Sequence, residues 1–167
     1  MTSDIRITNT GSLLELSARL RAAGGPPVRA AMHRRIRRAA EPLRDDLQRT
    51  VRTLPIRSAG GASRSGPSPT TRPLRATIAA AIRITVRTTG NPGAKVWIDR
   101  GALPPDLRGM PKVMNTGRIR HPVFGNRRRW ATQTTTPLWW ENTIRRHRPR
   151  MEREVERILG DIRARID

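Results

Sequence analysis

A single stripe constrains this chain more than anything else in it. Apolar residues recur every three or four positions from Val28 through Met32, Ile36, Ala39, Leu43, Leu47 and Val51 to Leu54. At 3.6 residues per turn that spacing puts them on one face of a helix about seven turns long, a face that needs apolar cover. Arg29, Arg34, Arg35, Arg37, Arg38 and Arg44 fall mainly on the other faces. Pro26-Pro27 suits the first turn, where a missing N–H leaves nothing unsatisfied. Pro42 removes a helical hydrogen bond and predicts a kink or break near Glu41. A second stripe closes the chain: Ile144, Met151, Val155, Ile158, Leu159, Ile162 and Ile166. Thr136 is expected to cap this helix with Pro137 at its first position, Pro149 to bend it, and Glu154 to pair with Arg157.

Shorter signals lie between and around the stripes. Residues 1–10 read as a flexible polar arm, with Ile5 and Ile7 alternating as in an edge strand. Leu13, Leu14, Leu16 and Leu20 suggest a short helix ended by Gly24-Gly25. Residues 55–73, rich in Gly, Ser, Pro, Thr and Arg, have almost nothing to bury and predict a long flexible loop. One or two helical turns are expected at 74–81. Ile82, Ile84 and Val86 then alternate with polar residues, turn residues follow at 89–93, and Val96 and Ile98 share a face, so 82–98 reads as a β-hairpin. One helical turn is expected at 111–115, with short strands at 119–121 and 130–133. The sum is an α+β fold: a long N-terminal helix and a C-terminal helix packed on a small, mainly antiparallel sheet, as a single domain over 11–167.

Charge is the loudest compositional feature. The formal net charge is +21, and Lys95 and Lys112 are the only lysines. Arginine carries a planar fork that pairs with phosphate or carboxylate, so nucleic acid and acidic protein neighbours both suit the chain. The plain alternative is arginine-favouring codon use and a solvated surface. The absence of cysteine rules out disulfides and thiolate metal sites, and His33, His121 and His147 lie too far apart for a metal-ligand cluster. No phosphate-binding glycine loop or nucleophile elbow occurs. Asp45-Asp46, adjacent on a helix, point to different azimuths and read as a solvated pair, not an acid/base dyad. No catalytic, cofactor-binding or metal-binding residue is therefore expected, and the chain is not expected to be an enzyme. Without a run of about 18 apolar residues or an apolar N-terminal core, a cytoplasmic product with no membrane association is expected.

The informative segment is 117–140, GRIRHPVFGNRRRWATQTTTPLWW. It gathers His121, Phe124, Trp130, Trp139 and Trp140 around the run Arg127-Arg128-Arg129. Tryptophan and arginine dominate interface hot spots. Two of the tryptophans are expected in the core and at least one at a subunit boundary. Together with the upstream MPKVMNT, Gln133 and Pro137, this segment resembles the siphophage neck and tail-component family, in its actinobacterial-phage branch. The likeness extends in pattern over most of residues 13–166, through Ala39-Ala40-Glu41-Pro42 and Leu74-Arg75-Ala76-Thr77-Ile78; the arginine content and the 55–73 loop depart from it. The resemblance implies a non-enzymatic virion protein at the head–tail junction, assembled in the host cytoplasm. It would form a hexameric or dodecameric ring between connector or stopper proteins and the tail tube or terminator. His121, Phe124, Arg127, Arg128, Arg129, Trp130, Trp139 and Trp140 are the interface candidates. Arg34, Arg35, Arg37, Arg38, Arg64 and Arg72 are candidates for contact with genomic DNA or acidic neighbours. The rival expectation is a basic nucleic-acid-binding protein acting alone, although no helix-turn-helix, zinc finger or RNA-stacking motif can be assigned.

Overall fold

The computed structural model describes residues 18, 25–58, 73–89, 92–123 and 126–164. The expected arm at 1–10, nearly all of the short helix at 11–23 and most of the 55–73 loop, with Arg64 and Arg72, lie outside the described residues. The described elements run α1 (Gly25–Thr53), β1 (Arg57–Ser58), α2 (Leu74–Ala80), β2 (Ile82–Arg87) and β3 (Gly93–Ile98). Two 3-10 turns (Arg100–Ala102 and Pro105–Leu107) follow, then α3 (Met110–Asn115), β4 (Arg118–Val123), β5 (Asn126–Thr134) and α4 (Trp139–Arg163). The fold class is α+β, with long helices toward both ends and small antiparallel sheets between them. The strands form two sheets where one was expected: β1-β5-β4, and the hairpin β2-β3.

Helix α1 carries the stripe that the spacing predicts. Met32, Ile36, Ala40, Leu43, Leu47, Val51 and Leu54 are buried, with Ala40 in the place assigned to the half-buried Ala39. The helix runs unbroken through Pro42, and α4 runs unbroken through Pro149. A proline in a helix interior costs about 3 kcal/mol. Each large side chain of the stripe returns about 1.5–3 kcal/mol when fully buried, so the stripe outweighs the proline.

The chain divides into two compact units. In one (47–82 and 98–143), Leu47, Val51 and Leu54 from the end of α1 join the buried Ile78, Ile98, Leu103, Met114 and Ile119. Trp139 and Trp140 complete this core, edge to face with ring centroids 5.6 Å apart. Arg75 of α2 donates through Nη1 to the carbonyl of Leu54 at 2.9 Å and of Arg52 at 3.4 Å, supplying a donor to carbonyls left over at the end of α1. Within the stretch expected to be a loop at 55–73, Arg57–Ser58 instead forms a short strand paired with the end of β5.

In the other unit, Met32 and Ile36 of α1 and Val155 and Ile158 of α4 form a buried cluster, with Val28, Ala39, Val86 and Ala94 packed against it. The β2–β3 hairpin thus presents Val86 and Ala94 to the helices, and on its other face Trp97 Nε1 donates to Thr85 Oγ1 at 2.9 Å. Polar links join the same helices: Arg35 pairs with Asp161, and Asp46 Oδ2 lies 2.9 Å from His147 Nε2 and 3.4 Å from Arg146. Asp45 pairs instead with Arg44 at 2.7 Å, so the two adjacent carboxylates do serve different azimuths. On the outer face Glu154 pairs with Arg157, and Glu152 pairs with Arg148. That second hydrogen bond and its charge raise the Arg148 pKa against a small desolvation. Among the described residues, no helix is long and apolar enough to cross a membrane.

Candidate functional site

Arg118–Val123 and Asn126–Thr134 form an antiparallel pair, longer than the two short strands expected from the sequence. Arg118 pairs with Thr134, Ile119 with Gln133, Arg120 with Thr132, His121 with Ala131 and Pro122 with Trp130. Opposed residues share a face. Ile119 is buried on one face, and Arg118, Arg120, Thr132, Thr134 and Trp130 lie on the other. The third strand extends that row: Arg57 pairs with Thr134, so Arg57 and Arg118 flank the same threonine. Beyond Ile119 the ribbon leaves the core, and no described residue from 120 to 134 is buried. Pro122 stands on the edge strand β4, where its missing N–H breaks the row of donors that a further strand would need.

The register then jumps. Trp130 pairs with Pro122, but the next partner of β4 is Asn126 opposite Val123, which leaves Arg127, Arg128 and Arg129 bulged out of the ladder. A bulge of this kind exposes the extra residues and re-aims the strand. Local hydrogen bonds hold it. Arg128 donates its backbone N–H to Asn126 Oδ1 at 2.9 Å, and Trp130 Nε1 donates to the carbonyl of Arg127 at 2.8 Å. The Arg120 guanidinium lies 4.9 Å from the Trp130 ring centroid, a cation–π contact that leaves the ring 48% exposed. Among the described residues, no ion pair engages Arg118, Arg120, Arg127, Arg128 or Arg129.

The base of the hairpin is locked by groups that sequence reasoning overlooked. Gly117, at the end of α3, has φ +83°, and a Cβ there would lie 2.9 Å from Pro137 Cβ, so only glycine fits without displacement. Helix α4 starts at Trp139, two residues later than expected, because Leu138 at φ +53° turns the chain. Neither Thr136 nor Leu138 supplies a side-chain cap. The buried Asn115 does so from a distance: its Oδ1 accepts from Trp140 N at 3.1 Å, its backbone oxygen accepts from Leu138 N at 2.8 Å, and its Nδ2 donates to Glu141 Oε2 at 2.9 Å.

The predicted candidates thus separate. Arg127, Arg128, Arg129 and Trp130 come together on the exposed ribbon. His121 is half-buried there, its Nδ1 3.2 Å from the carbonyl of Pro122, and Phe124 lies outside the described residues. Trp139 and Trp140, 2% and 0% exposed, cannot face a partner as they stand; they belong to the buried interior of the unit that carries the ribbon. Arg34, Arg37 and Arg38 are exposed on α1 in the other unit, where Arg35 is engaged by Asp161. Arg57, Arg118 and Arg120 join the site without having been named as contact candidates, although the alternation Arg118-Ile119-Arg120 carried the signal. A shallow depression lined by Ile98, Arg100, Arg108, Pro111 and Lys112 adds further positive charge to this unit. Among the described residues, no group of histidine and carboxylate side chains could hold a metal ion. No protein-family model, curated protein or solved structure is significantly similar to the chain.

Proposed function

We propose that the chain is a structural subunit of a tailed-phage particle, a neck, tail-completion or terminator component that joins connector to tail by ring assembly and does no catalysis. The observation that carries this is where the family-like phrase falls. The described part of the phrase that resembles the siphophage neck and tail-component family, Arg120-His121-Pro122-Val123 with the arginines and tryptophan of 127–130, coincides with a ribbon of which the chain's own core buries no described residue beyond Ile119. An exposed ribbon of this kind suits contact with another component of a particle, protein or packaged DNA, and repeated head-to-tail contacts between subunits close into a ring when the rotation per subunit permits.

The test is quantitative mass spectrometry of purified particles made from the genome that encodes this chain. A fixed ratio of six or twelve copies per portal ring is expected. Absence from the particle, or normal infectious yield after deletion of the gene, overturns the proposal. Light scattering on the isolated chain discriminates further: a species that stays monomeric and grows only when DNA is added favours the stand-alone nucleic-acid-binding protein.

A further inference from the structure

We infer that the outer face of the β4–β5 ribbon is a binding surface for the sugar–phosphate backbone of duplex DNA, with the Arg127-Arg128-Arg129 bulge as its principal contact. From Leu107 to Trp140 the sequence contains no Asp or Glu, while cations recur throughout. The fold turns this imbalance into a surface. Arg57, Arg118 and Arg120 share one sheet face with Thr132 and Thr134, and the bulge adds three guanidinium groups at its far end.

Arginine forks and threonine hydroxyls are the side chains that hold phosphate oxygens. Along a strand, alternate residues stand about 7 Å apart, so Arg118 and Arg120 can address successive phosphates of one strand. A two-stranded ribbon also has dimensions that a DNA groove admits. The hydrogen bonds that Asn126 Oδ1 accepts and Trp130 Nε1 donates fix the bulge backbone, so less ordering remains to be done on binding.

A protein partner suits the same face less well. Interface centres are depleted in charge and built around apolar anchors, whereas among the described residues Trp130 is the only large apolar side chain on this face, and it already carries Arg120 over its ring. Strand addition is blocked along β4 by Pro122. The inference stands on the ribbon alone and holds for a ring subunit or a solitary protein.

The experiment is fluorescence anisotropy of the full chain with a labelled random-sequence duplex of about 30 base pairs across a salt series. Wild type is expected to bind with a steep negative slope of log K against log salt. R127A/R128A/R129A should bind at least tenfold more weakly at low salt and lower the slope by about 3, since each neutralised phosphate contributes about 0.9. R127K/R128K/R129K, which keeps the charge but not the forks, should keep the wild-type slope and lose less affinity than the alanine triple. R145A/R150A/R153A removes the same charge from exposed positions of α4 and should change affinity less than threefold. Circular dichroism verifies that each variant folds. Equal losses for the two alanine triples would reduce the effect to bulk charge and overturn the inference. So would ribbon-dependent binding of polyglutamate with no binding of DNA, which would assign the face to an acidic protein. Either result leaves the particle copy-number test intact.

Discussion

Asn115 shows how one residue decides where a helix begins. A helix N-terminus exposes N–H groups without internal partners, and a serine, threonine, aspartate or asparagine at the cap position ordinarily meets one of them. Here the cap position is Leu138, whose side chain cannot accept, and the amide of Asn115 arrives from 25 residues upstream to accept from Trp140 N. Its other end donates to Glu141, a carboxylate well placed in the first turn of α4. Asn115→Ala should lower stability by about 1–2 kcal/mol, the usual value of a lost cap. Asn115→Asp keeps the acceptor but sets a second carboxylate against Glu141, so its loss should be largely recovered in the double variant N115D/E141Q. Urea denaturation of the four proteins checks this; equal losses in N115D and N115D/E141Q would show that the Asn115–Glu141 contact carries no weight.

Among the elements, the two long helices tolerate prolines that isolated helices would not. Helix α4 continues through Pro149 because Met151, Val155 and Ile158 beyond it are buried. Pro149 itself is exposed, so its ring contributes no burial while its missing N–H remains a loss. Pro149→Ala should therefore stabilise the protein by about 1–3 kcal/mol, read as a higher urea midpoint with an unchanged slope. A lower midpoint would mean that the ring packs usefully. The β4–β5 ribbon is the opposite kind of element. Beyond Ile119 none of its described residues is fully buried, and it holds its shape by ladder bonds, local side-chain bonds and a cation–π contact. Such an element contributes little to folding, which leaves its side chains available to a partner.

For the whole molecule, charge dominates. A net charge of +21 on 167 residues means that compaction brings like charges together, and the ion pairs of the described residues engage only some of the arginines. Raising salt from about 10 mM to about 150 mM shortens the Debye length from about 30 Å to about 8 Å and screens that repulsion. The melting temperature should rise by several degrees over that range, at about 2–4 °C per kcal/mol for a chain of this size. A fall would show that the exposed ion pairs outweigh the self-repulsion. Binding of a polyanion should raise the melting temperature further, and most strongly at low salt, where its affinity is greatest.

Backbone periodicity is a local property, so it was readable directly from the residues. The three-and-four spacing gave both long helices, the alternation of Ile82, Ile84 and Val86 gave the β2–β3 hairpin, and the residue balance gave the charge. Three tryptophans of one short segment, by contrast, are chemically identical on paper, yet Trp139 and Trp140 are buried and Trp130 is half-exposed. The arginine triplet reads as an ordinary charge run until its strand pairs with β4 and the register leaves it without partners. Asn115 looks like the tail of a short helix until α4 comes to rest on it. Each of these depends on residues distant in the chain meeting at ångström precision, and packing between elements sets that meeting, whereas spacing within an element cannot.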